Sequence, residues 1–231
     1  MSEFLKLLEN LFSIKTWEVI WPAILETLMM TTVSTVLMGV LGLLVGTVLL
    51  VTRPDGLQPK RVFNALFGAV VDALRSLPSM VIIILTLPLA KLIIGRSWGP
   101  GAVMIALALT CTPMFARMVE SGFLDVSRGK VEAAKSVGAR NWEIMLKVIL
   151  PESLPSLVRS FTIAVIALIS VTAIAGWFGA GGLGDVAVRY GYNRFLTHMM
   201  IAAVLALIVI VVLVQVCGEA IARGIVRKRR L

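Results

Sequence analysis

The sequence predicts an all-α integral membrane protein of five transmembrane helices, and three observations carry that prediction. Hydrophobic residues make up 58% of the 231 and charged residues 15%, against roughly 45–50% and 25% in ordinary soluble domains. Five apolar stretches are long enough to cross a hydrocarbon layer about 30 Å thick. Between the third and fourth lies one polar island, residues 127–155, SRGKVEAAKSVGARNWEIMLKVILPESLP. Spans on both sides force it out of the membrane. At this length there is room for one bundle of spans and none for an added soluble domain.

Residues 1–20 form the first predicted element. Phe4, Leu7, Leu8, Leu11 and Phe12 recur at helical spacing opposite Lys6, Glu9 and Asn10, the pattern of an interfacial amphipathic helix rather than a cleaved signal peptide. Trp17 and Trp21 then sit at headgroup level. Residues 21–226 form the membrane domain. Its first span, Leu28–Val51, is uncharged and about 36 Å long as a helix; the Gly42/Gly46 pair inside it favours close helix packing.

The second span, about Phe63–Ile94, contains Asp72, Arg75, Pro78 and Pro88. Either charge alone near the bilayer centre costs about 2.5–3.5 kcal/mol on insertion scales. Three residues apart, Asp72 and Arg75 can neutralise each other; the pair either marks the polar mouth of the helix or lines a polar path. The third span, Pro100–Ala116, runs out into Arg117 and Glu120, again three apart. The fourth, Phe161–Phe178, carries Ser170 and Thr172 among small and β-branched neighbours, and the fifth is about Met199–Cys217.

Basic residues orient the chain. Of 22 Lys and Arg, about 15 fall on the island's side and about 6 on the other, with Arg75 inside a span, so the positive-inside rule puts the island and C-terminus in the cytoplasm. An odd number of spans leaves the N-terminus outside. In a soluble chain a net charge of +9 would suggest nucleic acid; here the tail 227–231, with RKRR, reads first as a stop-transfer anchor. Cys111 and Cys217 lie in apolar segments, and His198 has no clustered ligands, so neither disulfide, metal site nor catalytic set is indicated.

The island itself reads as two short helices. Ser127 is placed to cap the first, and Gly138 follows where a left-handed terminal residue is wanted. Asn141 is placed to cap the second. Glu143 and Lys147 then make a favourable pair, and Pro151 is expected to end the element. Trp142, Ile144, Met145, Leu146, Val148, Ile149 and Leu150 make this helix apolar on most of its circumference, so it needs a partner surface. An ordinary helical hairpin and a DNA-reading helix-turn-helix share parts of the pattern, but flanking spans would tether the latter. GAGGLG at 179–184 fits GxGxxG without the strand and downstream acid of a dinucleotide site; its glycines are expected to turn the chain at the membrane surface.

The island's spacing resembles a family signature. Glu132, Ala133 and Ala134, then Gly138, then Val148, Leu150 and Pro151 follow the EAA motif of ABC importer permeases, with Val148 replacing the usual Ile. RSLP at 75–78, FARMVE at 115–120, and AGGLG with RYGY at 180–192 extend the likeness, from about Trp21 to Val226, to the permease subunits of bacterial methionine ABC importers.

That resemblance implies a cytoplasmic coupling-helix loop and a homodimer of five-helix subunits. It further implies two separate cytoplasmic ATPase subunits that use ATP and Mg, and an external methionine-binding lipoprotein. No Walker A sequence occurs, so no nucleotide or other cofactor is expected on this chain. Alternating access across the inner membrane follows, with Ser170, Thr172, Ala173 and Gly176 as candidates to line the path or, equally, to pack helices. Permeases for phosphonate, quaternary amines or other amino acids remain open. An ATP-independent carrier or channel would show deeper ionisable residues or internal repeats.

Overall fold

The computed structural model describes the backbone of residues 2–96 and 99–228, and side chains from residue 7 onward within those ranges. The expected roles of the Phe4 and Lys6 side chains and of Arg229 and Arg230 lie outside the described residues. All elements among the described residues are helical, including α1 (Ser2–Leu11), α2 (Ile14–Thr52), α3 (Arg61–Ser76), α4 (Ser79–Ile94), α5 (Pro100–Leu124), α6 (Arg128–Ser136), α7 (Asn141–Glu143), α8 (Leu150–Ala175), α9 (Gly182–Val186) and α10 (Thr197–Lys228). A π turn, Ile144–Ile149, joins α7 to α8, so residues 141–178 run as one helix. Among the described residues four helices are long and apolar enough to cross a membrane, five if the broken pair α3–α4 counts as one span.

The amphipathic element is shorter than expected. α1 ends at Leu11, because Ser13 starts a new helix: its hydroxyl accepts the Thr16 N–H at 3.4 Å, while the Asn10 carbonyl accepts from Thr16 Oγ1 at 2.7 Å. The expected division at residue 20 falls inside α2, where Thr16 and Ile20 are buried. Trp17 and Trp21, one turn apart, stay exposed.

The second span is broken rather than merely irregular. Leu77 precedes Pro78 and takes the extended conformation, φ −72° and ψ 139°, to which proline's ring confines its predecessor. The remaining spans outrun their apolar cores: α5 continues past Ala116 to Leu124, and α10 past Cys217 to Lys228.

Two compact units divide the chain, one formed by Met1–Leu37, Pro78–Thr110 and Val165–Val214, the other by Met38–Leu77, Cys111–Ala164 and Gln215–Leu231. In the first, Met30, Ile83, Leu107, Ala175 and Ala180 are completely buried together, and Ser34 donates to the Met104 carbonyl at 2.9 Å. The GAGGLG segment belongs to this core. Gly179, Gly181 and Gly182 all take positive φ, so the expected turn is there, and Ala180, Gly182, Leu183 and Gly184 within it are buried in the protein. Their backbone is satisfied by side chains of α2: Gly182 N–H donates to Glu26 Oε2 at 2.7 Å and Leu183 N–H to Thr27 Oγ1 at 2.9 Å. A Cβ on Gly176 would come within 2.3 Å of the backbone at Gly184 and Asp185, which explains glycine there.

In the second unit, α2 and α5 approach at glycine. A Cβ on Gly42 would lie 2.4 Å from the Phe115 ring, and one on Gly46 would lie 2.6 Å from the Ala116 carbonyl. The GxxxG pair thus packs within the chain.

Candidate functional site

The polar island folds within the second unit as α6, a tight turn, and the start of the long helix 141–178. α6 ends in two hydrogen bonds, from Gly138 N–H to the Lys135 carbonyl (2.9 Å) and from Ala139 N–H to the Ala134 carbonyl (3.1 Å). This double closure requires a left-handed residue between them. Gly138 supplies it at φ +79°.

Three local expectations differ from what forms. Ser127 precedes α6 but makes no capping hydrogen bond. Asn141 is the first helical residue rather than the cap, and its side-chain amide donates to the Leu57 carbonyl at 3.0 Å. The helix start is served from inside, by Glu143 accepting the Arg140 N–H at 3.0 Å. Pro151 does not end the helix. Leu150 N–H reaches the Met145 carbonyl, five residues back, and this widened turn relieves the clash a proline ring otherwise makes with the carbonyl four residues before it. The expected Glu143–Lys147 pair forms at 3.0 Å, with the ammonium also 5.7 Å from the Trp142 ring centre, within cation–π range.

Ile144, Met145 and Ile149 are buried, and the π turn packs against α6. They provide the close fit between the island's two helices. Val137 (83% exposed), Trp142 (55%) and Leu146 (55%) are left outside. Glu132, Ala133 and Gly138 are exposed too, while Ala134, Val148, Leu150 and Pro151 are half-buried. The structure therefore brings both parts of the EAA signature together, with three apolar side chains left exposed on them. Beside them lies a cavity of about 430 Å³ lined by Arg53, Asp55, Val131, Glu132, Lys135 and Ile149 among others.

From the island runs a ladder of ion pairs that sequence spacing reveals only in part. Arg117 forks onto Asp72 with contacts of 3.0 and 2.6 Å, donates to the Gly68 carbonyl at 2.9 Å, and reaches Glu120 at 2.7 Å. Glu120, with a side chain only 8% exposed, is held from its other oxygen by Arg53 at 3.3 Å. Arg53 binds Asp55 at 3.1 Å, and Asp55 binds Arg128 of α6 at 3.4 Å. The principal partner of Asp72 is therefore Arg117; Arg75, the neighbour expected from spacing, stands 4.0 Å away and half exposed. A forked guanidinium outcompetes it because two parallel N–H donors match a carboxylate.

The rungs are not equal. Arg128–Asp55 is exposed, and such pairs contribute about 0–1 kcal/mol, whereas Glu120 is buried and cannot lose both partners cheaply. Asp55's carboxyl is held below the usual carboxylate range, first by the hydrogen bond from Arg53. Its stabilising contribution is present at neutral pH and would be lost only as pH falls through that lowered pKa.

The other candidate residues lie in the first unit. Ser170 is exposed and donates to the Ile166 carbonyl at 3.2 Å. Thr172 is buried and donates to the Ile169 carbonyl at 2.6 Å. Ala173 and Gly176 pack against Gly184.

Residues 40–231 match the family model described as binding-protein-dependent transport system inner membrane component. The chain is 40% identical over 200 residues (87% of its length, 89% of the relative's) to the probable D-methionine transport system permease protein MetI of Vibrio cholerae. It is 39% identical over 181 residues (78% and 81%) to the methionine import system permease protein MetP of Bacillus subtilis. Among solved structures it resembles a chain from the inward-facing conformations of the MetNI methionine ABC transporter, with TM-score 0.90 and 35% identity over 93% of this chain and 99% of that one. An amino acid ABC transporter crystallised with histidines is 20% identical at TM-score 0.69 over 88% and 94% of the two chains, a likeness of fold.

Proposed function

Since the chain belongs to the binding-protein-dependent transport system inner membrane components, we propose that it is the membrane-spanning permease of an ATP-driven importer that carries methionine. The observation that carries this reading is the likeness to methionine permeases along almost the whole chain. ATP is hydrolysed in a separate cytoplasmic subunit. Two copies of the permease, two ATPases and an external methionine-binding lipoprotein make up the working assembly, in the inner membrane.

In this reading Val137, Trp142 and Leu146 are the apolar tip that enters the ATPase, and Glu132 and Lys135 are its polar rim. Gly138 sets the angle between the tip's two helices. When the ATPases close on ATP, displacement of α6 reaches α5 and α3 through the ladder from Arg128 to Asp72, and the spans open outward; hydrolysis resets them. Ser170, Thr172, Ala173 and Gly176 remain candidates to line the path, Ser170 by exposure and the others through helix packing beside it.

Vesicles reconstituted with permease, ATPase and binding protein test the substrate directly. They are expected to accumulate radiolabelled methionine on addition of ATP, in preference to choline or a phosphonate. Uptake of either competitor in place of methionine would overturn the substrate assignment and leave the importer class standing.

Orientation is tested separately. Single cysteines at Ser136 and Asn193, both exposed positions, are placed in a background lacking Cys111 and Cys217. With an impermeant thiol reagent added to intact cells, Asn193→Cys is expected to label and Ser136→Cys to stay unlabelled; the reverse would place the island outside.

A further inference from the structure

Where α8 and α10 meet in the second unit, the missing side chain of a glycine makes room for a threonine. A Cβ on Gly218 would stand 2.1 Å from Thr162 Oγ1, and Ala222, one turn further along α10, is completely buried. This contact sets the positions of three guanidinium groups just beyond it. Arg159, Arg223 and Arg227 line a pocket of about 230 Å³ together with Val226.

Their electrostatic situation differs from that of five basic side chains in the same unit. Arg53, Arg117, Arg128, Lys130 and Lys147 each have a carboxylate within 4.0 Å. Arg159, Arg223 and Arg227 take part in none of the ion pairs among the described residues. The two acids beside Arg159 in the adjoining pocket are engaged: Asp125 accepts from Ser156 Oγ at 3.1 Å, and Glu152 pairs with Lys130 at 2.8 Å. Glu219 lies one turn before Arg223 and makes no ion pair among the described residues. Like charges one turn apart, as at Arg223 and Arg227, repel, so the pocket holds positive potential that an anion would relieve.

Depth identifies the anion. The uncharged run Phe161–Phe178 begins two residues after Arg159, and the uncharged run Met199–Gly218 ends five residues before Arg223. At 1.5 Å per residue these runs are about 27 and 30 Å long, the thickness of a bilayer's hydrocarbon core. The three arginines therefore stand at the level of the lipid phosphates, with Val226 as an apolar wall on the same pocket. We propose that Arg159, Arg223 and Arg227 form a binding site for the phosphate of an anionic phospholipid headgroup. The same chemistry would accept free phosphate, but the depth and apolar wall favour the lipid.

Native mass spectrometry of the detergent-solubilised full chain with phosphatidylglycerol or phosphatidylcholine reads the site. Wild type is expected to retain phosphatidylglycerol and not phosphatidylcholine. At about fivefold per basic residue, the triple variant R159Q/R223Q/R227Q should weaken phosphatidylglycerol retention on the order of a hundredfold. A control that removes the same charge elsewhere, K60Q/R61Q/R140Q, should leave it near wild type. If the triple variant fails to fold, the three single variants carry the test, each with its fivefold loss. Equal loss in the control, or none in the site variants, would overturn the proposal. Displacement of the lipid by excess inorganic phosphate would assign the pocket to the free ion and overturn the headgroup assignment. Unchanged lipid retention with loss of ATPase co-purification would assign the patch to a protein surface and likewise overturn the lipid site.

Discussion

Arg117→Met is expected to destabilise the chain by about 3 kcal/mol, the low end for breaking a buried ion pair, and to abolish most uptake. The substitution removes the forked grip on Asp72 and the 2.7 Å contact to Glu120 together. Asp72 is half exposed and can turn to water or to Arg75. Glu120 cannot, because its side chain is only 8% exposed and its remaining partner, Arg53, is 3.3 Å away. The lower end applies because Arg117 itself keeps 23% of its side-chain exposure and some of its solvation.

Stability and coupling are separated by a second variant. Replacing Glu120 as well, in Arg117→Met/Glu120→Leu, removes the stranded charge, so much of the lost stability should return. The ladder stays cut between Arg53 and Asp72, so uptake should stay low. Thermal unfolding in detergent and uptake in reconstituted vesicles give the two readouts. Recovery of uptake along with stability would mean that the ladder only holds the fold and transmits nothing.

Why the left-handed conformation of Gly138 is legible in the sequence, while the partners of Arg117 are not, follows from the range of the interactions. A left-handed helix end, a Glu–Lys pair at four residues and an apolar run are decided within one or two turns, so spacing alone reveals them. Spacing pairs Asp72 with Arg75 because both lie on α3; Arg117 is 45 residues away and reaches it only after α5 packs on the Gly68 backbone. Asn141 shows the same limit, since the Leu57 carbonyl that takes its amide is 84 residues distant. Pro151 departs from expectation for another reason. A proline is a helix terminator for an ordinary α-turn, and a π turn immediately before it removes the clash on which that rule rests. Glu26 and Thr27, polar side chains inside what reads as the approach to an apolar span, accept the Gly182 and Leu183 N–H groups from 156 residues away.

Gly138→Val is the second variant expected to have a large effect, and the structure identifies conformation rather than space as its cause. A Cβ at this position meets nothing within 4 Å, so no neighbour has to move. The backbone, however, is at φ +79°, which costs roughly 1–2 kcal/mol for a residue with a Cβ and more for a β-branched one. Relief of that strain breaks the two closing hydrogen bonds of α6 and changes the angle at which α6 meets the helix that starts at Asn141. The chain should insert and fold, since Gly138 is an exposed turn residue that lies outside the long apolar helices. Uptake should fall tenfold or more, the factor that about 1.4 kcal/mol represents, and the ATPase should lose its stimulation by binding protein. Gly138→Asn supplies the control, because asparagine enters the left-handed region more readily than other residues with a Cβ. It should restore most of the uptake that valine removes. Equal loss in both variants would mean that the flat, side-chain-free surface of Gly138 is what the ATPase needs, and full activity in both would remove the turn from the coupling path.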